Sequence, residues 1–336
     1  MSMKIFITGI AGFLGSHLAK RLYKLGHTIY GNDNLIGGEK SNIENKEIKF
    51  FNVDCCDLDK MTEIMRGVDV LCHAAAFAHE GLSNVSPKLV SENNVVGSVS
   101  TFTAAIKNKV KRIVFCSSMA RYGNAPTPYT EDTNPMPMDP YGISKVAAED
   151  ILKILSKTYG FEYNIAVPHN IIGPKQKYDD AFRNVASIMI NLILQNRRPT
   201  IYGDGNQKRC FSDIDDCIQC LERLMFDPEV KSQIVNIGPD EEFISINDLY
   251  EMISNKLKFN EEPIYDKARP NEVYHAFCSS DKARKILSYK TKIKLSKSLD
   301  KMIDYIKLKG PKKFEYNYDI EVKTDITPQT WTKKLF

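Results

Sequence analysis

Tyr141 and Lys145 are four positions apart in the segment Y-G-I-S-K, a spacing that puts both side chains on one face of a helix. A tyrosine has an ordinary pKa of about 10, which is too high for an effective base near neutral pH. A neighbouring ammonium group stabilises the phenolate and lowers that pKa. The pair therefore predicts acid–base chemistry in which Tyr141 accepts the proton of an alcohol.

Two serines precede this pair. Ser117 and Ser118 follow the apolar segment R-I-V-F-C, which is typical of a buried strand. In an open parallel sheet ligands bind beyond the carboxyl ends of the strands, so both hydroxyls are expected to point toward a site. Ser118 is the better candidate for a hydrogen bond to the reacting oxygen. The alternative is that both serines only cap the end of the strand.

Three glycines near the start of the chain predict a phosphate-binding loop. Gly9, Gly12 and Gly15 stand in G-I-A-G-F-L-G, between a strand-like segment and a helical repeat of leucines. Glycines let the backbone turn tightly and approach a pyrophosphate, to which the following helix offers free N–H groups. The loop indicates a dinucleotide, whose oxidised nicotinamide would lower the pKa of Tyr141 further. Packing of strand against helix is the alternative reason for these glycines.

Asp33 indicates which dinucleotide is bound. It follows a second strand and lies 18 residues after Gly15. A carboxylate here can accept hydrogen bonds from the adenosine ribose and repels a 2′-phosphate, which favours NAD over NADP. The segment N-D-N is also good turn chemistry, so a plain turn is the alternative. Asp54 and Cys55, after a third strand, are expected beneath the adenine.

The elements that must position these residues alternate between strand and helix. Six segments predict strands: Lys4–Thr8, Thr28–Asn32, Ile48–Val53, Val68–His73, Arg112–Ser117 and Tyr163–Val167. Apolar residues at helical spacing separate them, including a long stretch over 84–108. The alternation predicts an α/β fold, a doubly wound parallel sheet of the Rossmann type with helices on both faces.

The second half of the chain predicts a smaller, mixed α/β domain that binds the substrate. Helices are expected near 182–196, 213–227, 245–257 and 294–308. We expect the Rossmann domain over 1–170, with about 205–240 returning to it, and the second domain over 171–204 and 241–336. From Pro311 onward the chain is polar and aromatic and contains Trp331, the only tryptophan. This tail either packs on the body or is partly disordered.

Composition argues against several classes of function. The chain has 336 residues, 43% of them hydrophobic, and a net charge of +4, a balance that does not support nucleic-acid binding. It has neither an apolar run of about 18 residues nor the apolar core of a signal peptide. Cys217 and Cys220 form a C-x-x-C on a predicted helix, where buried packing is a better interpretation than a zinc site. We expect a cytoplasmic protein with reduced thiols and no metal.

Taken together, the motifs resemble the extended short-chain dehydrogenase/reductases of the NAD-dependent epimerase/dehydratase family, and most of all the UDP-glucose 4-epimerase group. The matching segments, spread over about residues 4–290, are T-G-I-A-G-F-L-G, D-N-L, H-A-A-A, N-N-V-V-G, S-S-M-A-R-Y-G, D-P-Y-G-I-S-K, P-H-N-I-I-G-P and G-D-G-N-Q-K-R-C-F-S-D-I-D-D.

The resemblance implies one site for NAD and one for a UDP-sugar. It makes Tyr141 the base, Lys145 its partner and Ser118 the family's Ser/Thr. With the residues deduced above, the NAD site comprises Gly9, Gly12, Phe13, Leu14, Gly15, Asp33, Asn34, Asp54, Cys55, Ala74, Ala75, Asn94, Ser117, Tyr141, Lys145 and Pro168. The sugar-nucleotide site comprises Ser118, Met119, Tyr141, Asn170, Arg209, Arg269 and Ala276. The two arginines suit phosphate oxygens in charge and geometry, and a surface ion pair is the alternative for each.

The chain departs from its relatives directly after Ser118. Sugar 4,6-dehydratases of this kind carry an Asp–Glu pair, or at least a Glu, where this chain has Met119 and Ala120. Neither side chain can protonate a leaving hydroxyl, which argues against elimination of water. At Ala78 the family often has a polar group. His79 and Glu80 either replace that group or lie in a solvated loop.

We therefore predict NAD-dependent epimerisation at carbon 4 of a UDP-hexose, through a 4-keto sugar and without net redox. The alternatives are a nucleotide-sugar dehydratase or decarboxylase, and an NAD-binding regulator without catalysis. Ala276 implies room for an N-acetylated sugar, because resembling epimerases restrict the pocket with a bulky residue at this wall. An alignment slip of two positions would put Tyr274 there and reverse that expectation. The resemblance also implies a homodimer through two helices per subunit.

Overall fold

In the computed structural model, which describes residues 2–336, seven parallel strands form the centre of the molecule. They are β1 (Lys4–Thr8), β2 (Thr28–Asp33), β3 (Lys49–Asn52), β4 (Val70–His73), β5 (Arg112–Cys116), β6 (Glu162–Pro168) and β7 (Gln233–Ile237). Their order across the sheet is β7-β6-β5-β4-β1-β2-β3. The order reverses between β1 and β4, so the carboxyl ends of these strands border a crevice. The predicted α/β Rossmann fold is confirmed.

Helices cover both faces of the sheet, which is why the strands are apolar along most of their length. Ile5 and Ile7 pack into one core and Phe6 into the other, as the alternation of side chains along a strand requires. The helices on the first face are Phe13–Lys24, Ile214–Phe226 and Asp281–Leu287, and those on the second are Leu58–Ile64, Gly97–Lys107 and Pro140–Tyr159. Cys217 and Cys220 are free and buried in the first core, in agreement with the packing interpretation.

The predicted elements differ from the observed ones in two places. Strand β7 is not among the six predicted strands. The predicted helix over 84–108 is interrupted, because Pro87 begins a separate helix, Pro87–Ser91, and a π-helical turn, Glu92–Val96, precedes Gly97–Lys107. Such a turn frequently occurs at functional sites, and here it contains Asn94.

A further apolar core lies next to the carboxyl edge of the sheet. Its helices are Val185–Leu194, Ile246–Leu257 and Leu295–Lys309, close to three of the predicted ones. The short strands of this region are Ile171–Ile172, Thr200–Tyr202, Lys208–Arg209, Ser212–Asp213, Ile244–Ser245, Ile264–Asp266 and His275–Ala276. The remaining short helical segments are Lys40–Asn42, Glu80–Ser83, Met119–Arg121 and Gln329–Thr332.

Within residues 2–336, no helix has both the length and the apolar character needed to cross a membrane.

Residues 311–336, which we call the C-terminal strap, run over the body of the protein. They are mostly irregular, with one helical turn, Gln329–Thr332. Trp331 in this turn is only 3% exposed. Of the two alternatives for the tail, the structure shows the packed one.

Candidate active site

The helix Pro140–Tyr159, which we call the tyrosine helix, positions the two residues expected to do acid–base chemistry. Asp139 caps its N-terminus by accepting a hydrogen bond from the Gly142 N–H at 2.8 Å, and Pro140 occupies the first turn. Tyr141 and Lys145 are both buried on one side of this helix, and the Lys145 Nζ lies 5.8 Å from the centre of the Tyr141 ring. The structure thus brings the predicted pair together.

Lys145 is held beneath the site. Its Nζ donates a hydrogen bond to the carbonyl oxygen of Cys116, at the end of β5, at 2.9 Å and lies 5.0 Å from the centre of the Phe115 ring. Burial lowers the pKa of Lys145 to about 8, because a charged ammonium is poorly solvated there. The side chain is therefore still mostly cationic at neutral pH.

The Tyr141 phenol is a weak acid in this environment. Burial raises its pKa to about 12, against the opposing effects of a hydrogen bond with Ser118 and of the Arg183 cation. At neutral pH the phenol is protonated. Its use as a base requires additional positive charge nearby, of the kind that an oxidised nicotinamide brings.

The two serines have different surroundings. Ser118 precedes the turn Met119–Arg121 and accepts a hydrogen bond from the Ala120 N–H at 3.2 Å, and its hydroxyl is close enough to lower the pKa of the Tyr141 phenol. Ser117 instead donates a hydrogen bond to Glu149. Both serines border the cavity described below, but only Ser118 reaches the phenol.

A buried ion pair that was not predicted from the sequence lies below Ser117. Glu149 is fully buried, and the Arg121 Nε donates to its Oε1 at 3.0 Å. Glu149 lies one helical turn after Lys145, so the spacing puts it on the face of Lys145 but does not reveal its partner Arg121. The pair ties the end of β5 to the tyrosine helix and so fixes the positions of Ser117 and Lys145.

In the glycine loop, backbone atoms approach Gly9 and Gly15 so closely that a side chain would not fit at either position. Gly9 has a φ of +67°, and a Cβ there would lie 2.9 Å from the Cα of Ala75. A Cβ at Gly15 would lie 2.1 Å from the Gly9 carbonyl oxygen, so the loop cannot close with any other residue. Gly12 differs, because a Cβ there would meet only that oxygen, at 3.1 Å. Its open side faces the cavity, where Phe13 and Leu14 begin the following helix.

Asp33 ends β2 at the edge of the same cavity. Its Oδ2 accepts a hydrogen bond from the Ala11 N–H at 3.1 Å, and its Oδ1 accepts one from the Leu35 N–H at 2.8 Å. Burial raises the pKa of this carboxyl, and the backbone hydrogen bonds oppose that effect. Nearby, the Asn34 amide donates to Asp54 at 2.7 Å. These contacts fix the orientation of the carboxylate toward the cavity.

Most of the remaining residues expected around NAD also line the cavity. They are Asn34, Asp54, Cys55, Ala74, Ala75 and Pro168. Asn94 does not line it. Its buried amide accepts a hydrogen bond from the Phe77 N–H at 2.7 Å and donates to the Ser144 hydroxyl at 3.2 Å. The Asn94 side chain therefore supports the loop after β4 and the tyrosine helix.

The residues expected around the nucleotide diphosphate meet at one end of the cavity. The Arg269 guanidinium donates to Glu272 through Nε at 3.2 Å and Nη2 at 2.7 Å. Arg209 donates to the carbonyl oxygens of Val273 at 2.5 Å and Tyr274 at 3.1 Å. Asn170 and Met119 also line the cavity. Both arginines are therefore fixed in place before any ligand binds.

Ala276 does not border the cavity. It is 7% exposed, lies on the short strand His275–Ala276 in register with Arg209, and belongs to the same core cluster as Met119. Its expected place beside the sugar stays a prediction.

His79 is not in a solvated loop. It is buried at the cavity wall, where its Nε2 lies 2.7 Å from the Asp180 carboxylate.

Next to this pair lies Arg183, which was not predicted from the sequence as a site residue. Arg183 is half-buried and lines the cavity, and within residues 2–336 its guanidinium has no hydrogen bond or ion pair. Its proximity also lowers the pKa values of Tyr141 and Asp180.

One cavity of about 480 Å³ extends from the glycine loop past Tyr141 to Arg209 and Arg269. The family model described as the NAD dependent epimerase/dehydratase family matches residues 5–238.

The chain belongs to this family.

Known members resemble it over nearly their whole length. A putative UDP-glucose 4-epimerase of Methanocaldococcus jannaschii is 34% identical over 307 residues, which cover 90% of this chain and 98% of the relative. The crystal structure of UDP-glucose 4-epimerase from Thermotoga maritima with UDP-glucose has a TM-score of 0.87 at 27% identity and covers 91% of this chain and 99% of that one. UDP-glucuronic acid 4-epimerase from Bacillus cereus, in complex with UDP-glucuronic acid and NAD, has a TM-score of 0.85 at 28% identity and covers 92% of this chain and 100% of that one.

NAD is the cofactor of this family, and the site fits it. The uncapped helix that begins at Phe13 leaves N–H groups free for a pyrophosphate, and Gly12 leaves the space that the phosphates need. Asp33 would hold the adenosine ribose, and Lys145 the nicotinamide ribose. When bound, NAD supplies the acceptor and donor of a hydride.

Proposed function

We propose that the protein is a UDP-hexose 4-epimerase, which inverts carbon 4 of the sugar through a transient 4-keto intermediate. The observation that carries this proposal is the single cavity in which the glycine loop, Tyr141 and the two arginines meet. It offers continuous space to a dinucleotide, an acid–base residue and a diphosphate. The reactions of the relatives named above support both the nucleotide and the chemistry.

Tyr141 would take the proton of the 4-hydroxyl group and later return one to the 4-oxygen of the inverted sugar. Ser118, whose hydroxyl meets the phenol, would hold the sugar oxygen beside it. Lys145 would stabilise the phenolate by its charge. Since proton and hydride both return to the sugar, substrate and product have the same composition.

The 4-keto sugar must present its other face before the hydride returns. Arg209 and Arg269, fixed by Glu272 and by backbone carbonyls, would hold the diphosphate while the hexose turns. Elimination of water is disfavoured, since Met119 and Ala120 follow Ser118 where dehydratases place carboxylates.

Product analysis tests this proposal. The purified protein with NAD is incubated with UDP-glucose, UDP-N-acetylglucosamine, UDP-glucuronic acid and GDP-mannose, and products are followed by NMR. We expect the 4-epimer of at least one UDP-sugar and no product that has lost water or carbon dioxide. A dehydrated or decarboxylated product from every accepted substrate would contradict the proposal.

Arg183 favours a second candidate, a UDP-uronic acid 4-epimerase. An unpaired, half-buried guanidinium near the reacting phenol is costly unless an anion joins it, and a sugar carboxylate is such an anion. The UDP-glucuronic acid 4-epimerase of Bacillus cereus is among the structural relatives.

The substitution Arg183→Gln separates the two candidates. If the substrate is a uronate, kcat/KM for UDP-glucuronic acid should fall at least about tenfold, or ~1.4 kcal/mol, with little change for UDP-glucose. Arg198→Gln, on the outside of the molecule, serves as the control. Equal effects of Arg183→Gln on both substrates would remove the uronate candidate.

Acceptance of N-acetylated hexoses is proposed from the small residue Ala276. Ala276→Tyr should keep activity on UDP-glucose and lose at least about tenfold on its N-acetylamino counterpart. Equal loss of both activities, or of neither, would show that Ala276 does not gate the sugar.

We place the enzyme in the cytoplasm as a homodimer. All eight cysteines are free, as suits a reducing compartment. The tyrosine helix carries two apolar side chains at the surface, Ile143 at 56% and Ile154 at 65% exposure. They are 11 residues apart, close to three helical turns, and so share the face that a second copy would cover.

A further inference from the structure

The C-terminal strap joins the two parts of the molecule between which the cavity lies. On the sheet side, the Val322 N–H donates to the Val85 carbonyl oxygen at 2.9 Å. The Glu321 carboxylate accepts hydrogen bonds from the Lys88 and Leu89 N–H groups, both at 2.9 Å, and so caps the helix Pro87–Ser91. One of these contacts involves the backbone of the strap and the others a charged side chain. Together they fix the position of the strap along this side of the molecule.

The strap is fixed on the opposite side as well. Lys312 exchanges two hydrogen bonds with the Asn191 amide, at 3.0 Å and 2.9 Å. Near the other end, the Arg197 guanidinium donates to the Leu335 carbonyl oxygen at 2.8 Å. The strap thus crosses the cavity mouth from the helix Val185–Leu194 to the sheet side and back.

Three aromatic residues of the strap line the cavity: Tyr318, Trp331 and Phe336. Trp331 packs edge-on against Phe182 at 5.4 Å and Tyr202 at 6.4 Å between ring centres. Its ring also comes close to Arg269, because both side chains would lie 3.2 Å from a Cβ at Gly81. Trp331 therefore lies at the end of the cavity that holds the diphosphate-binding arginines.

Tyr318 lies toward the catalytic end. Its ring is 4.6 Å from Phe77 and 5.2 Å from His79, and its hydroxyl donates to the Ile36 carbonyl oxygen at 3.4 Å. Phe77 shares an apolar cluster with Tyr141. The strap thus places one aromatic ring beside Arg269 and another beside His79, and Phe182 contacts both rings, Tyr318 at 5.9 Å and Trp331 at 5.4 Å between ring centres.

Two relatives that are matched almost completely leave about a tenth of this chain uncovered. The Thermotoga and Methanocaldococcus proteins are matched over 99% and 98% of their own lengths but cover only 91% and 90% of this chain. The strap, residues 311–336, accounts for most of such a share, and it lies wholly beyond residues 5–238 of the family match.

We propose that the C-terminal strap is the outer wall of the nucleotide-sugar site, added to the family fold, with Trp331 contacting the nucleotide diphosphate half of the substrate and Tyr318 the sugar half. The proposal rests on the proposed function, because it takes a nucleotide sugar as the ligand. Aromatic rings give a large apolar contact at small cost in side-chain entropy. A wall that bridges both parts of the molecule also shields the 4-keto sugar from water.

Trp331 is the only tryptophan, so the wild-type holoenzyme reports on the strap without any substitution. UDP and UDP-glucose are titrated into NAD-loaded protein, with tryptophan emission excited at a wavelength where uracil does not absorb. Both ligands should change the emission, with midpoints that equal the Kd values from calorimetry. Binding by calorimetry with no change in emission would overturn the proposal.

Variants then separate the two rings. Trp331→Ala should raise the Kd of UDP and of UDP-glucose alike, by at least about tenfold, without changing the Kd of NAD. Tyr318→Ala should weaken UDP-glucose but not UDP. Ile326→Ala, in the strap but 61% exposed, is the control and should change neither.

The outcomes separate this proposal from the proposed function. If no nucleotide sugar binds the wild-type holoenzyme, the proposed function fails and the strap proposal fails with it. If nucleotide sugars bind, but Trp331→Ala and Tyr318→Ala only lower the melting temperature and leave both Kd values unchanged, the strap proposal alone is overturned.

Discussion

At the scale of single residues, catalysis depends on how the charge around Tyr141 changes when ligands bind. Burial is the main cause that raises the pKa of the phenol to about 12, and it is also the main cause that lowers the pKa of Lys145 to about 8. The two shifts have the same cause, since each buried group favours its neutral form. In the proposed reaction, positive charge on Lys145 and on a bound cofactor would lower the pKa of Tyr141 toward the range in which a base is effective.

Replacing Tyr141 by phenylalanine removes only the phenol oxygen. We expect Tyr141→Phe to fold, to bind NAD normally and to lose roughly 10²–10⁴-fold in kcat, the usual range for a general acid–base group. Tyr159→Phe, on the same helix but 60% exposed, is the matched control. Turnover of Tyr141→Phe close to that of the wild type would show that another group moves the proton.

Lys145 is tested best through the pH profile. The active form requires the Tyr141 phenolate, so kcat/KM should rise with pH through the pKa of Tyr141. Lys145→Met removes a positive charge, which raises that pKa, so the acid limb should move to higher pH by about one unit or more. Lys157→Met, at the exposed end of the same helix, should leave the profile in place. An unmoved limb in Lys145→Met would mean that Lys145 does not act on the phenol.

At the scale of elements, two glycines in the turn between β1 and the helix Phe13–Lys24 have different roles. We expect Gly15 to be needed for packing of the turn and Gly12 for binding of the cofactor. A Cβ at Gly15 would lie 2.1 Å from the Gly9 carbonyl oxygen, whereas a Cβ at Gly12, a residue that lines the cavity, would lie 3.1 Å from it. Gly15→Ala should therefore lower both the melting temperature and the affinity for NAD. Gly12→Ala should keep the melting temperature and raise the Kd of NAD by about tenfold or more, or ~1.4 kcal/mol. Unchanged NAD affinity in Gly12→Ala, measured by calorimetry, would place the pyrophosphate elsewhere.

For the tyrosine helix, the sequence predicts which side chains share a face, but it does not predict the residues that this face contacts. The spacing of Tyr141 and Lys145 predicts one shared face, and the structure has it. The contacts of that face are tertiary, however. Glu149 pairs with Arg121 from a different segment, and Asn94 turns inward because a π-helical turn interrupts its helix. Neither arrangement follows from periodicity along one segment.

At the scale of the whole molecule, the alternation of apolar strands and helices was sufficient to predict the sheet, because a parallel sheet covered on both faces imposes it. Strand β7 was not predicted although it is as long as β1, and its place at the edge of the sheet depends on pairing with β6, which is distant in the chain. The place of Arg183 and the path of the strap depend on contacts between residues more than a hundred positions apart, such as Tyr318 with Phe77. Such contacts leave no local pattern in the sequence.

The proposed homodimer has its own test. Ile143→Asp combined with Ile154→Asp puts two charges on the apolar face of the tyrosine helix, and burial of unpaired charge is costly. The variant should sediment as a monomer where the wild type sediments as a dimer. Leu308→Asp, at an 83% exposed position of the helix Leu295–Lys309, is the control. A variant that remains dimeric would place the interface elsewhere.

In the proposed reaction a hydride leaves carbon 4 of the sugar and returns to the same carbon within one closed site. This return of the hydride is tested most directly with UDP-glucose that carries deuterium at carbon 4, or with UDP-glucuronic acid labelled in the same way if that is the accepted substrate. NMR and mass spectrometry of the product should show the 4-epimer with the deuterium still on carbon 4 and no added mass change. Loss of the deuterium to solvent, or a product lighter by water or carbon dioxide, would contradict the account.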